Sequence, residues 1–143
     1  MFQWLQMRIS EEKDRRKKEQ ATLERLPRAL EEVGQELQVC IKSYAEAFGP
    51  QAADIVCMPH KLRVTVRDEV DGKWQSRAKV EVTTVPELPG LKVERGDEPF
   101  MIEVGLLPGG KLYFRDRVAD KYLTMEEVTK NVLDRAMFPK LGE

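Results

Sequence analysis

Cysteine and histidine are scarce in this chain. Two cysteines, Cys40 and Cys57, and a single histidine, His60, stand among 143 residues. Two cysteines do not make a disulfide framework, which suits a reducing cytoplasm. Cys57-Met58-Pro59-His60 has the spacing of half a metal site, but a structural zinc centre wants four ligands, so no metal is assigned. Ser-His or Cys-His catalysis would hang on His60 alone, with no nucleophile motif to accompany it. The chain also lacks a Gly-rich phosphate loop and any paired metal ligands, so neither a cofactor nor an enzymatic activity is expected. No apolar run approaches the length of a membrane span. Residues 1–9, MFQWLQMRI, lack the basic start and long apolar stretch of a signal peptide.

An excess of one charge sign is missing too. The net charge is −1 although 34% of residues are charged. That balance argues against global attraction to nucleic acid and for well-solvated helices. From Ser10 to Gln20, nine of eleven residues are charged, five positive and four negative. Mixed signs at this density read as a helix with close-range ion pairs. Ser10-Glu11-Glu12 looks like its N-cap and first turn.

What is present is amphipathic pattern. Leu26, Leu30, Val33, Leu37, Cys40 or Ile41, Tyr44 and Phe48 follow a three-four spacing, which predicts a helix stopped by Gly49-Pro50. Pro27 is expected to break or kink it away from the charged stretch. Residues 1–25 therefore read as a charged helical extension and 26–143 as a single domain, a size that buries a real core.

Residues 61–85 carry the strongest strand signal. Leu62, Val64 and Val66 alternate with polar residues, as do Ala78, Val80 and Val82, on either side of Asp71-Gly72. A two-residue loop would place Val66 opposite Arg77 and Val64 opposite Lys79, and so set apolar residues beside charges. A three-residue loop, Val70-Asp71-Gly72, avoids this by pairing Val66 with Ser76, Val64 with Ala78 and Leu62 with Val80. A second hairpin runs through Pro108-Gly109-Gly110, with Leu106 opposite Leu112 and Val104 opposite Phe114. Gly72 and Gly110 are expected at positive φ. Residues 51–60 are ambiguous between strand and helical turn, and residues 86–99 read as loop, with Leu91 and Val93 as a short edge strand. Arg95-Gly96-Asp97 spells an adhesion tripeptide and is read as chance. Thr124-Met125-Glu126-Glu127 is a capping box that opens a last helix, stapled by Leu123 and Val128 and ended by Phe138-Pro139. The fold class is α+β. A long N-terminal helix and a C-terminal helix pack on one face of an antiparallel meander of four strands, or five with Leu91 and Val93.

Two surfaces are candidates for function. On the polar sheet face, Lys61, Arg63, Arg67, Arg77, Lys79, Lys111, Arg115 and Arg117 stand against Glu81 and Glu103, a net of about +6. Tyr113 lies among them, and in the same registers Arg63 faces Lys79, Thr65 faces Arg77, and Arg115 faces Glu103. Arginine gives fixed, bidentate contacts to carboxylates, so the leading expectation is a protein-binding or adaptor domain. Its partner would be an acidic protein segment, held by Arg63, Arg67, Arg77, Lys79, Tyr113 and Arg115. Single-stranded nucleic acid on the same face is the alternative, weakened because Tyr113 is a lone stacking platform. A small enzyme with an unrecognised pocket is a second alternative. The other surface is Phe2, Trp4, Leu5 and Ile9, oddly apolar for a terminus and expected to form a homodimer contact.

Overall fold

The structure, a computed structural model, describes residues 2–141. Helix α1 (Gln3–Phe48) is followed by strands β1 (Ala53–Met58), β2 (Lys61–Val70), β3 (Lys73–Val85), β4 (Gly90–Glu94), β5 (Phe100–Leu106), β6 (Leu112–Asp116) and β7 (Lys121–Leu123), then helix α2 (Met125–Met137). The strands form one antiparallel sheet in sequence order, β1 to β7. The α+β class holds, while the expected four or five strands become seven. Residues 53–58 and 121–123 supply the two outermost strands. Leu91 and Val93 belong to β4, which is the middle strand and not an edge. Both side chains are fully buried, as a central strand with a covered face requires.

One face of the sheet holds the core. Leu30, Val33 and Leu37 of α1 meet Leu62, Val64, Val80, Val82, Ile102 and Val104 of the sheet, with Val128 and Val132 of α2 beside them. The three-four stripe of α1 is thus the packing surface over Leu26–Ile41, while its last expected member, Phe48, is exposed. Among the described residues, no helix is long and apolar enough to cross a membrane.

Helix α1 departs from expectation in two places. It begins at Gln3, so Ser10 lies within it and caps nothing. Ion pairs from Arg8 to Glu11 and from Glu12 to Arg15 and Arg16 carry the helix across that position. Pro27 does not break it either, although its missing N–H forfeits one backbone bond. Leu26, Ala29 and Leu30 are all buried around Pro27, so packing on the sheet overrides the local preference. Burial in α1 starts at Thr22; the turns before it contain no buried residue.

The first hairpin closes with two residues, not three. Val70 pairs with Lys73, and both Asp71 (φ 53°) and Gly72 (φ 77°) are left-handed. The face conflict is resolved lower in the ladder, where a bulge makes Arg77 an extra residue in β3. Beyond it Val66 faces Ala78, Val64 faces Val80 and Leu62 faces Val82. Apolar residues still share a face, but every expected partner is displaced by two positions. Arg63 consequently faces Glu81, not Lys79, and Thr65 faces Lys79, not Arg77. The second hairpin keeps its expected register, with Leu106 opposite Leu112 and Glu103 opposite Arg115. Gly110 has φ 84°, and Gly109 is also left-handed at 89°.

The capping box of α2 is formed. Thr124 accepts from the Glu127 N–H, and the Glu127 carboxylate accepts from the Thr124 N–H. A Lys121 contact at 2.5 Å is the largest reason that the Glu127 carboxyl sits below its ordinary pKa. Its stabilising contribution is complete above the ordinary carboxylate range and is lost as pH falls through the lowered value. Thr124→Ala is expected to cost about 1 kcal/mol in a urea titration at neutral pH. An unchanged midpoint would show that the box adds nothing.

Candidate functional site

The outer face of the sheet carries the alternate residues of each strand. On β1–β3, Lys61 and Arg63 both reach Glu81, at 2.5 and 3.4 Å, and Arg67 reaches Asp54 at 2.5 Å. Contact with Lys61 is the main reason the Glu81 carboxyl lies below its usual pKa. Lys79 faces Thr65 between these two clusters and takes part in none of the described ion pairs. Further across, Arg115 and Arg117 both lie 3.2 Å from Glu103, and Arg115 also bonds Asp120, which raises its pKa. The Tyr113 hydroxyl is 3.5 Å from Glu103, and burial pushes its pKa up.

These residues do not make one patch. Arg63, Arg67 and Lys79 sit on β2 and β3, while Tyr113 and Arg115 sit on β6. Two strands intervene, which at about 4.8 Å per strand puts β3 and β6 roughly 14 Å apart. Arg77 is not on this face at all. The bulge turns it toward the helices, where its guanidinium donates to Ala136 O at 2.6 Å, to Met137 O at 3.2 Å and to the Tyr44 hydroxyl at 3.1 Å. Its Nε lies 3.0 Å from Asp68. With Arg77 gone from the face, Asp54 and Glu94 join Glu81 and Glu103 on the acidic side while only Lys92 is added on the basic side. The net of about +6 therefore does not stand. Asp54 and Tyr122 were missed because both lie in strands that alternation alone left unassigned.

Tyr122 supplies a second ring 5.3 Å from Tyr113, at 69° to it. Tyr113 also lies flat on the backbone of Gly105, where an added Cβ would come within 2.2 Å of the ring. The two rings stand edge to face, not as parallel platforms for successive bases. Between α1 and the β5–β6 end of the sheet lies a cleft of about 820 Å³, lined by Ala21, Leu88, Leu106, Leu107 and Pro108 and equally by Arg15, Lys18, Glu19, Glu87, Glu103 and Arg117. Cys57 receives a contact from Gln38 at 3.5 Å. Among the described residues, no three His, Cys, Asp or Glu side chains converge to hold a metal. Arg95-Gly96-Asp97 is tied to α2, with Arg95 donating to Asn131 O at 2.7 Å and Asp97 paired with Arg135.

Among the described residues, the densest run of exposed large apolar side chains is at the start of α1. Phe2 is 72% exposed, Trp4 and Met7 are each 64% exposed, and Leu5 and Ile9 are also open to solvent. The ion pairs that follow hold Glu12 at a pKa of about 2, first through its hydrogen bond to Arg15. The first turns of α1 thus form a helical arm with an apolar tip and a charged shaft. Comparison of the chain with family models, curated proteins and solved structures returns no match.

Proposed function

We propose that this chain is a cytoplasmic protein-binding module, an adaptor and not an enzyme, whose docking element is the α1 arm. The observation that carries the reading is the exposure of Phe2, Trp4, Leu5, Met7 and Ile9 on one helix end, with none of the described residues before Thr22 buried. Exposed apolar patches on folded chains mark interaction sites, and aromatic residues with Met are enriched at the centres of protein interfaces. The mixed charges of the shaft keep the arm helical and soluble without favouring an anionic surface. Residues 26–143 act in this reading as the body that holds the arm.

The acidic-partner reading of the sheet face is kept as the second one, narrowed to β2 and β3. There Lys61, Arg63, Arg67 and Lys79 outnumber Asp54 and Glu81, and Lys79 is left without a carboxylate. Single-stranded nucleic acid ranks below it, given the edge-to-face arrangement of Tyr113 and Tyr122. A photoreactive residue placed at Met7 of the full chain, activated in cells, tests the leading reading. Cross-links to polypeptide are expected there, and cross-links to lipid alone or to nothing would overturn it. The same probe at Lys79 tests the second reading, which fails if only nucleic acid is recovered.

A further inference from the structure

The occupant of the arm can be narrowed by its spacing, and this step rests on the arm being a protein-binding element. Stepping back from Leu26 with the same alternation of three and four residues reaches Leu23, Glu19, Arg16, Glu12, Ile9, Leu5 and Phe2. Because a straight helix drifts about 20° per heptad from this spacing, the row has turned roughly 60° by Leu5 from the face that α1 buries over Leu26–Ile41. Such a seam is apolar at both ends and charged in the middle, with the acids and the base alternating in sign.

We propose that two copies of this chain associate through their arms as an antiparallel pair, crossing at Asp14. The register follows from matching the seam to itself in reverse. Leu5 of one copy meets the half-buried Leu23 of the other, Glu12 meets Arg16 in both directions beside the Glu12–Arg16 pair within each helix, and Ile9 meets Glu19, whose carboxylate is held by Arg15 of its own helix. At about 1.5 Å per residue, Leu5 and Leu23 are roughly 27 Å apart along one helix. Each tip is thus carried to the base of its partner's arm, beside the cleft lined by Leu88, Leu106, Leu107 and Pro108. That cleft is large enough for aromatic side chains, and Leu107 within it is itself exposed. A parallel pair is opposed by the same residues, since Glu12 would face Glu12, Arg16 would face Arg16, and Glu19 would face Glu19. Lys13 and Arg15 flank the antiparallel crossing, where Arg15 is neutralised by Glu12 and Glu19 of its own helix. A shorter overlap that joins only the two tips would leave the charged seam without a role and would span only about two turns of each helix.

Sedimentation equilibrium of the full chain at micromolar concentration tests the proposal. A dimer is expected for the wild type, and Leu5→Asp with Ile9→Asp should give a monomer whose domain melts at the wild-type temperature. Glu12→Arg alone, or Arg16→Glu alone, should raise the dimer dissociation constant at least tenfold, and the two together should return it to near the wild-type value. A parallel pair would show no such rescue, because each change there only exchanges one like-charged layer for another. A wild-type chain that stays monomeric at high micromolar concentration overturns the inference; if the probe at Met7 still captures another polypeptide, the docking reading survives without it. Monomer capture by anionic phospholipid vesicles, abolished by the Leu5 and Ile9 changes, overturns both. A dimer insensitive to those changes would place the contact elsewhere and overturn this one.

Discussion

Arg77→Ala is expected to lower the unfolding free energy by about 3 kcal/mol, against less than about 0.5 kcal/mol for Arg63→Ala. The contrast comes from where the bulge puts the two side chains. Arg63 lies on the outer face beside Glu81, where an exposed ion pair adds little. Arg77 lies below the ends of both helices. The last carbonyls of a helix have no partner within it, and those of Ala136 and Met137 are satisfied by the Arg77 guanidinium. A cation there also complements the negative end of the α2 dipole. Truncation would strand two carbonyls, the Tyr44 hydroxyl and the Asp68 carboxylate together. Arg77→Lys should recover only part of the loss, because an ammonium cannot span two carbonyls and a hydroxyl in one plane. Urea titration of the three variants at neutral pH checks this. An Arg77→Ala midpoint equal to that of Arg63→Ala would show that the guanidinium does not hold the helix ends. Arg77 is accordingly the wrong residue with which to probe binding on the sheet face, since its removal changes the fold.

The displacement of Arg77 also shows how far the chain could be read in advance. Alternation in Leu62–Val66 and Ala78–Val82 identified the faces correctly, because periodicity reports which residues share a side. It could not identify the device that keeps the faces matched. A longer loop and a bulge satisfy the same pattern, and a bulge has no composition of its own unless it uses glycine. The register of the second hairpin was read to the residue because Pro108, Gly109 and Gly110 mark the turn chemically, although the left-handed Gly109 was not expected. The box at Thr124–Glu127 was legible for the same reason. β1 stayed ambiguous between strand and helical turn because Asp54, Ile55 and Val56 have no clean alternation, and its connection to β2 is Pro59-His60, without glycine. β7 is three residues long, below what a period of two can reveal. Pro27 and Ser10 misled for a different reason: both are local signals, and packing in one case and side-chain ion pairs in the other outweighed them. At the candidate sites, the apolar residues from Phe2 to Ile9 were visible. Their projection beyond the body was not, because exposure depends on how far the sheet extends.

Gly90→Ala is expected to be the most damaging single methyl that can be added to the sheet, costing about 3 kcal/mol. Gly90 opens β4 and pairs with Val85 on one side and Glu103 on the other. A Cβ built there would lie 2.1 Å from the carbonyl oxygen of Ile102 and 2.6 Å from the Leu88 side chain. The first of these is backbone, so no rotamer change relieves it. The strands β4 and β5 would have to separate at a point where Leu91 and Ile102 are fully buried side by side. Gly72→Ala is the control. Its Cβ would meet nothing within 4 Å, and the only cost is an alanine at φ 77°, about 1 kcal/mol. Hydrogen exchange distinguishes a local effect from a general one. Gly90→Ala should speed exchange at the Val104 amide, which donates to Pro89 O, far more than at Val64 in β2. Equal costs for the two alanines would mean that β4 and β5 can part freely, and the central position of β4 would then not be what holds the sheet together. The same test bears on the arm. Leu88, Pro89 and Val104 line the cleft at its base, so a strand separation at Gly90 should weaken self-association as well as stability, whereas Gly72→Ala should leave self-association unchanged.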